Sequence, residues 1–232
     1  FVNKLKRKIR LLKLKLLLPN ANTLIVQTEV MKKRAQMYLV PKKKICVIPS
    51  SVGFITGNDN TLVVSKLRKL KNDGNKIFLC INEYYEHKNI EILIPLAEKI
   101  KEEKLNIKFV VTLNNKNFET KIKGLEDVII NIGRQKRTET KSVFKVCDAL
   151  FFPSLIESFG IPLVEAQSLE MPIFTSDRDF AHSICGDNAI YFNPNSVNDI
   201  LSKLQTTNFI TPNNKPENWN VILDKMIKTI NQ

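Results

Sequence analysis

A chain of 232 residues with a net charge of +13, 43% apolar and 25% charged, has the length for one or two domains and the composition of an ordinary soluble globular protein. No run approaches the roughly 18 consecutive apolar residues of a membrane span, and the basic start alternates with leucines where a signal peptide would carry an unbroken apolar core. Cys46, Cys80, Cys147 and Cys185 lie far apart in apolar settings, and His87 and His182 are the sole histidines. That pattern speaks against a metal centre and for buried, reduced thiols in a cytoplasmic protein.

The chain opens at Phe1 without an initiator Met, as a fragment of a longer protein would. Its first 17 residues set Lys4, Lys6, Arg7, Lys8, Arg10, Lys13 and Lys15 among Leu5, Ile9, Leu11, Leu12 and Leu14. This reads as a basic amphipathic helix, suited either to peripheral contact with anionic membrane or to a solvated surface with one face on the core. An excess of positive charge asks for an anionic counterpart, and phosphate-bearing substrates also qualify. Nucleic acid is set aside, because no reader motif and no interleaved aromatics accompany the charge.

Residues 23–27 read as a short buried strand, 29–38 as a helix, and 44–48 as a strand stopped by Pro49. The polar stretch 50–60 reads as a linker, and 60–71 as a helix or a strand remnant. From Lys76 the alternation is regular. Strand 77–81 precedes helix 89–103, strand 107–112 follows, and strand 128–132 precedes helix 139–146. Strand 149–152 precedes helix 162–169, strand 172–176 comes next, and 189–192 is a short extended piece. Helices over 197–204 and 219–230 close the chain. Strands of four to six residues, apolar almost throughout and interleaved with helices, predict an α/β fold with a doubly wound parallel sheet.

One segment carries chemistry: Asp148-Ala-Leu-Phe-Phe-Pro-Ser-Leu-Ile-Glu157-Ser158-Phe159-Gly160-Ile161-Pro162-Leu-Val-Glu165-Ala. A buried strand ends at Pro153, and proline suits the first turn of the helix beginning near Pro162. The backbone N–H groups of Phe159, Gly160 and Ile161 then stand at the positive end of that helix, a site for phosphate or sugar oxygens. Gly160 lets a ligand approach the main chain. Glu157 and Glu165 repel phosphate, so their useful partners are hydroxyl groups, which sugars supply. The alternative is a loop charge and a solvated helix residue. The placement after an apolar strand, around Phe-Gly-x-Pro, favours the site.

These residues resemble the group 1 retaining glycosyltransferases of the GT-B fold, many of which build bacterial surface polysaccharides. The likeness rests on Phe152-Pro153-Ser154, the segment from Glu157 to Pro162, Glu165-Ala166, Pro172, Ser176-Asp177, Cys185-Gly186-Asp187-Asn188-Ala189 and Tyr191-Phe192-Asn193-Pro194. It covers roughly residues 77–198, with a weaker likeness upstream. It implies that residues 1–50 are the end of an N-terminal Rossmann-like acceptor domain, mostly missing. Residues 51–211 would be the C-terminal donor-binding domain and 212–232 a C-terminal helix.

The resemblance also implies a hexosyltransferase using a UDP- or GDP-hexose, without metal or other cofactor, on a glycan or lipid-linked acceptor at the cytoplasmic membrane face. Glu157 and the amides of Phe159, Gly160 and Ile161, with Ser158 beside them, would hold the donor sugar. Glu165 would take the ribose hydroxyls, Lys88 the leaving diphosphate, and Gly133 and Arg134 the base. The fragment alone is expected to be inactive. One departure stands out: Glu83 occupies the place of the family's diphosphate-binding Arg, five residues before the Lys. A carboxylate 4 Å from a phosphate oxygen is repelled by roughly 4 kcal/mol at an effective dielectric near 20. That leaves room for a non-catalytic nucleotide-sugar-binding or scaffold subunit.

Overall fold

The computed structural model describes residues 2–40, 44–53, 61–122, 124–206 and 208–231. They fall into two compact units, residues 1–51 with 217–232, and residues 52–216. The first unit holds α1 (Val2–Leu17), β1 (Leu24–Val26), α2 (Glu29–Tyr38) and β2 (Ile45–Val47), together with the last helix of the chain, Trp219–Ile230. β1 and β2 pair in parallel, and Ala35, Val40 and Ile45 pack with Leu24 and Val26 into a small core. Thr28 caps α2 by accepting from the Met31 N–H, which explains why the helix starts at Glu29. Within the same unit Ser51 donates its hydroxyl to the Glu217 carbonyl at 2.6 Å.

The second unit begins with α3 (Leu62–Asn72), capped by Thr61. This resolves the ambiguous stretch before Lys71 as helix: Val64 and Leu67 recur on one face and are buried. Most of the expected linker, residues 54–60, lies outside the described residues. The sheet then builds from β3 (Lys76–Cys80), β4 (Ile107–Val111), β5 (Ile129–Asn131), β6 (Ala149–Phe152), β7 (Ile173–Ser176) and β8 (Ile190–Phe192). All pairings are parallel, in the order β5-β4-β3-β6-β7-β8. Between the strands run α4 (Leu93–Glu102), α5 (Asn115–Lys121), α6 (Arg137–Val146), α7 (Ile161–Ser168) and α8 (Asp179–Cys185), with α9 (Val197–Leu204) after β8. The terminal helix of the first unit is α10.

Strands apolar throughout are what two covered faces require. Phe78, Cys80, Phe109, Phe151 and Phe174 face one core with α4 and α9, while Ile77, Leu79, Val110, Leu150 and Phe152 face the other with α3, α6, α7 and α8. Three expectations are corrected. The helix expected from residue 89 starts at Leu93, because Asn89 sits in the left-handed region at φ 54° and breaks the run into two 3-10 turns. The helices α5 and α8 were not expected. Each spans seven residues, too few to show a helical period; α5 is mostly polar and starts at an Asn114 cap.

Phe151 lies at the centre of the sheet, stacked on Phe192 with ring centroids 5.0 Å apart and 5.1 Å from Phe109. Truncating a fully buried aromatic leaves a cavity its close-packed neighbours cannot fill. Phe151→Ala is expected to lower the unfolding free energy by about 3–5 kcal/mol in urea denaturation.

Candidate active site

The strand order reverses between β3 and β6, and in open α/β sheets ligands bind beyond the carboxyl ends of the strands at such a point. The loops leaving β3 and β6 therefore share one crevice. They are tied together: the Leu155 N–H donates to the His87 carbonyl at 2.8 Å. Asn89 adds a second anchor, its side-chain amide donating to the Pro194 carbonyl at 2.9 Å. Between these anchors Lys88 Nζ stands 2.5 Å from Glu157 Oε1, with side chains only 17% and 11% exposed. The ammonium also lies 5.6 Å from the centre of the Phe152 ring. A pair this shielded is poorly screened by salt and holds both groups in fixed positions.

Beyond Glu157 the chain passes exposed Ser158 and turns at Gly160, with φ 77° and ψ 59°, into α7. A Cβ at Gly160 would stand 3.2 Å from Leu163 Cδ1 as well as strain the backbone, so the position requires glycine. Among the described residues nothing accepts from the N–H groups of Phe159, Gly160 or Ile161. Phe159 and Gly160 are buried and Ile161 is exposed, and these donors stand at the start of α7, the end of a helix that favours an anionic or hydroxyl oxygen.

A cleft of about 440 Å³ opens beside this turn, lined by Lys88, Glu83, Tyr85, Arg134, Thr140 and Pro162 among others. Arg134 Nη2 is 2.5 Å from Glu83 Oε1, so the carboxylate in the place of the family's Arg is answered by a guanidinium from the neighbouring loop. Both side chains are substantially exposed (84% and 46%), which makes the pair weak and separable. Gly133, at φ 67°, shapes the turn that presents Arg134, but its N–H is taken by the Asn131 side chain at 3.1 Å. His87 is exposed and stacked on Tyr85, their rings 9° from parallel. Burial pushes the Cys80 thiol beneath this loop up to about 12, against the opposing pull of Asn82 and Lys88, so it is no thiolate nucleophile.

Glu165 lies one turn along α7 from Ile161 and is partly buried. Burial pushes its carboxyl up to about 7, with Arg137 pulling the other way. Two residues that the sequence reading passed over matter here: Asn89, which fixes the backbone at Lys88, and Arg137. Asn89 had a signal in its place directly after Lys88, whereas Arg137 is hidden among Arg134, Lys136 and Lys141. Among the described residues no three His, Cys, Asp or Glu side chains cluster as metal ligands would.

The raised Glu165 value has a consequence for stability. The unfolded chain releases this proton near 4.5 and the folded chain near 7, so stability is untouched below about 4.5 and falls as pH climbs between the two. Glu165→Gln is expected to leave Tm unchanged near pH 4 and raise it near pH 8. The gain at the higher pH is at most about 3 kcal/mol, read by thermal denaturation at both pH values.

Residues 65–222 match the model of the glycosyl transferases group 1 family. The chain is 26% identical over 166 residues to the O-antigen chain mannosyltransferase RfbU of Salmonella typhimurium, covering 69% of this chain and 43% of that protein. Its fold is similar to that of a sucrose-phosphate synthase from Thermosynechococcus elongatus (TM-score 0.76, 16% identity, 97% of this chain and 61% of that one). It is also similar to the pneumococcal O-GlcNAc transferase GtfA, solved with UDP and GlcNAc (TM-score 0.63, 16% identity, 91% and 45%). The chain thus spans less than two thirds of the length of these relatives. With a family match over more than half its length and a Rossmann-like parallel sheet of the GT-B type, the chain belongs to the group 1 glycosyl transferases.

Proposed function

We propose that the chain is the donor-binding half of a retaining glycosyltransferase that moves a hexose from a UDP- or GDP-sugar to a glycan or lipid-linked acceptor in surface polysaccharide synthesis. The observation that carries this reading is the contact of Lys88 with Glu157 beside the free amides of the Gly160 turn. In it, Lys88 leaves Glu157 for the departing diphosphate, where a fixed cation lowers the barrier as charge develops. Glu157, Ser158 and the amides of Phe159, Gly160 and Ile161 hold the sugar hydroxyls. Glu165 takes the ribose hydroxyls: as a protonated acid it donates, and as a carboxylate it accepts. Arg134 is the second cation at the mouth, released from Glu83 when a diphosphate enters, and Gly133 shapes the turn beside the base. No metal is required in this scheme. The identity of the Salmonella relative and the UDP held by GtfA support the substrate class.

In the same reading residues 1–50 are the end of the acceptor domain, 51–211 the donor domain and 212–232 a C-terminal helix. The 232 residues alone then bind donor without transferring it. A non-catalytic nucleotide-sugar-binding subunit remains the rival, prompted by Glu83. Titration calorimetry with a panel of UDP- and GDP-sugars tests the reading. At least one should bind, Lys88→Ala should weaken it about tenfold or more, and Glu83→Gln should tighten it about fivefold by freeing Arg134. Absence of binding by every donor in the full-length protein contradicts it. Donor binding without any transfer by the full-length protein favours the rival.

We also propose peripheral attachment to the cytoplasmic face of an anionic membrane through residues 1–17. No described helix is long and apolar enough to cross a membrane. In α1, Leu11, Leu12, Leu14, Leu16 and Leu17 are exposed alongside Lys8, Arg10, Lys13 and Lys15, which presents both apolar and basic surface to an anionic interface. Co-sedimentation with phosphatidylglycerol vesicles should be lost when residues 1–17 are deleted; unchanged binding contradicts the attachment.

A further inference from the structure

Two tyrosines stand side by side in the loop that leaves β3, and they have different fates. The backbone at Tyr85 is extended, with φ −131° and ψ 149°, and neighbouring side chains of an extended chain point to opposite sides. Tyr84 packs against the core shared with α4, and its hydroxyl donates to Glu91. Tyr85 turns the other way and is 59% exposed. It lines the cleft of about 440 Å³ at the carboxyl edge of the sheet, together with Thr112, Arg134 and Pro162. Among the described residues of that wall it is the sole aromatic ring.

Three features fit this ring to a flat ligand. Its backbone is fixed relative to Lys88, whose N–H donates to the Tyr85 carbonyl at 2.9 Å, so the tyrosine stands one 3-10 turn from the ammonium. It is also backed: His87 stacks on it with ring centroids 5.7 Å apart and planes 9° from parallel, while His87 itself does not line the cleft. A ring has two faces, and the exposure that remains leaves the second to a ligand. Finally, Arg134 reaches Glu83, two residues before Tyr85, which brings the turn of Gly133 and Arg134 to the same cleft. An aromatic face in water gains from being covered by another flat π-system, and every nucleobase offers one.

We propose that Tyr85 is the stacking platform for the nucleobase of the donor. This deepens the donor reading of the crevice and rests on it. The base lies on the face of the ring turned from His87, beside the turn of Gly133 and Arg134, and the diphosphate meets Lys88 one turn along. Tyr85 then acts on the nucleoside part of the ligand and Lys88 on the diphosphate part, so the two roles separate in binding. UDP, GDP and inorganic pyrophosphate are titrated by calorimetry into the chain and into Tyr85→Ala, Tyr85→Phe and Lys88→Ala. The base protons of UDP and GDP are followed by NMR in the same mixtures. Tyr85 is a surface side chain outside the core, so its variants should melt with the parent.

Tyr85→Ala should weaken UDP or GDP, whichever the parent binds, by about tenfold. It should leave pyrophosphate unchanged, and Tyr85→Phe should bind both ligands as the parent does, since the ring is kept. Lys88→Ala should weaken pyrophosphate and nucleotide alike. Base protons lying over an aromatic ring are shielded, so they should move upfield on binding to the parent and to Tyr85→Phe, and lose that movement with Tyr85→Ala. Nucleotide affinity equal in Tyr85→Ala and the parent, or weakened together with that for pyrophosphate, would overturn the stacking role and leave the donor reading standing. Upfield movement that persists in Tyr85→Ala would do the same. A parent that binds neither UDP nor GDP would bring down both.

Discussion

Lys88 and Glu157 are 69 residues apart in the chain, yet their charged atoms meet at 2.5 Å. The cause is topological. Each belongs to a loop leaving a parallel strand, and β3 and β6 are neighbours at the one place where the strand order turns back. In a parallel sheet every strand delivers its carboxyl end to the same edge, so the two loops have no other place to go. The apolar strands set the edge, and the Leu155–His87 and Asn89–Pro194 bonds then set the separation. Taking two charges largely out of water is costly unless they pair, and this pairing fixes the two side chains relative to one another.

Several groups on the elements that follow β5 and β6 are in states that are unfavourable without a partner. Burial pushes the Glu165 carboxyl above the usual carboxylate range, to about 7. The amides of Phe159, Gly160 and Ile161 lack acceptors among the described residues. Arg134 is engaged by a carboxylate that is half in water and easily displaced. Such local departures from the best folding solution concentrate where a ligand is to supply the missing partner. The carboxylate of Glu83 is met in this way by Arg134 from the neighbouring loop.

The doubly wound sheet was legible because its signal is redundant. Short apolar strands, most of them buried on both faces, repeat the same pattern, and helices such as Val197–Leu204 and Trp219–Ile230 announce themselves by period and cap. What escaped reading depends on single residues or on distant partners. The break before α4 comes from one left-handed Asn89, and α5 and α8 are too short for a period to accumulate. At the site, the segment around Glu157 and Gly160 is contiguous and so visible. The pairing of Arg134 with Glu83, and the pull of Arg137 on Glu165, join residues from separate elements, and no spacing rule in one sequence reveals them.

The most direct measurement is a crystal structure of the protein with a nucleotide-sugar bound. Lys88 Nζ should then be found on a diphosphate oxygen and Glu157 on a hydroxyl of the sugar, with the 2.5 Å contact between them opened. A donor bound elsewhere, with Lys88 and Glu157 still joined, would contradict the account at its centre.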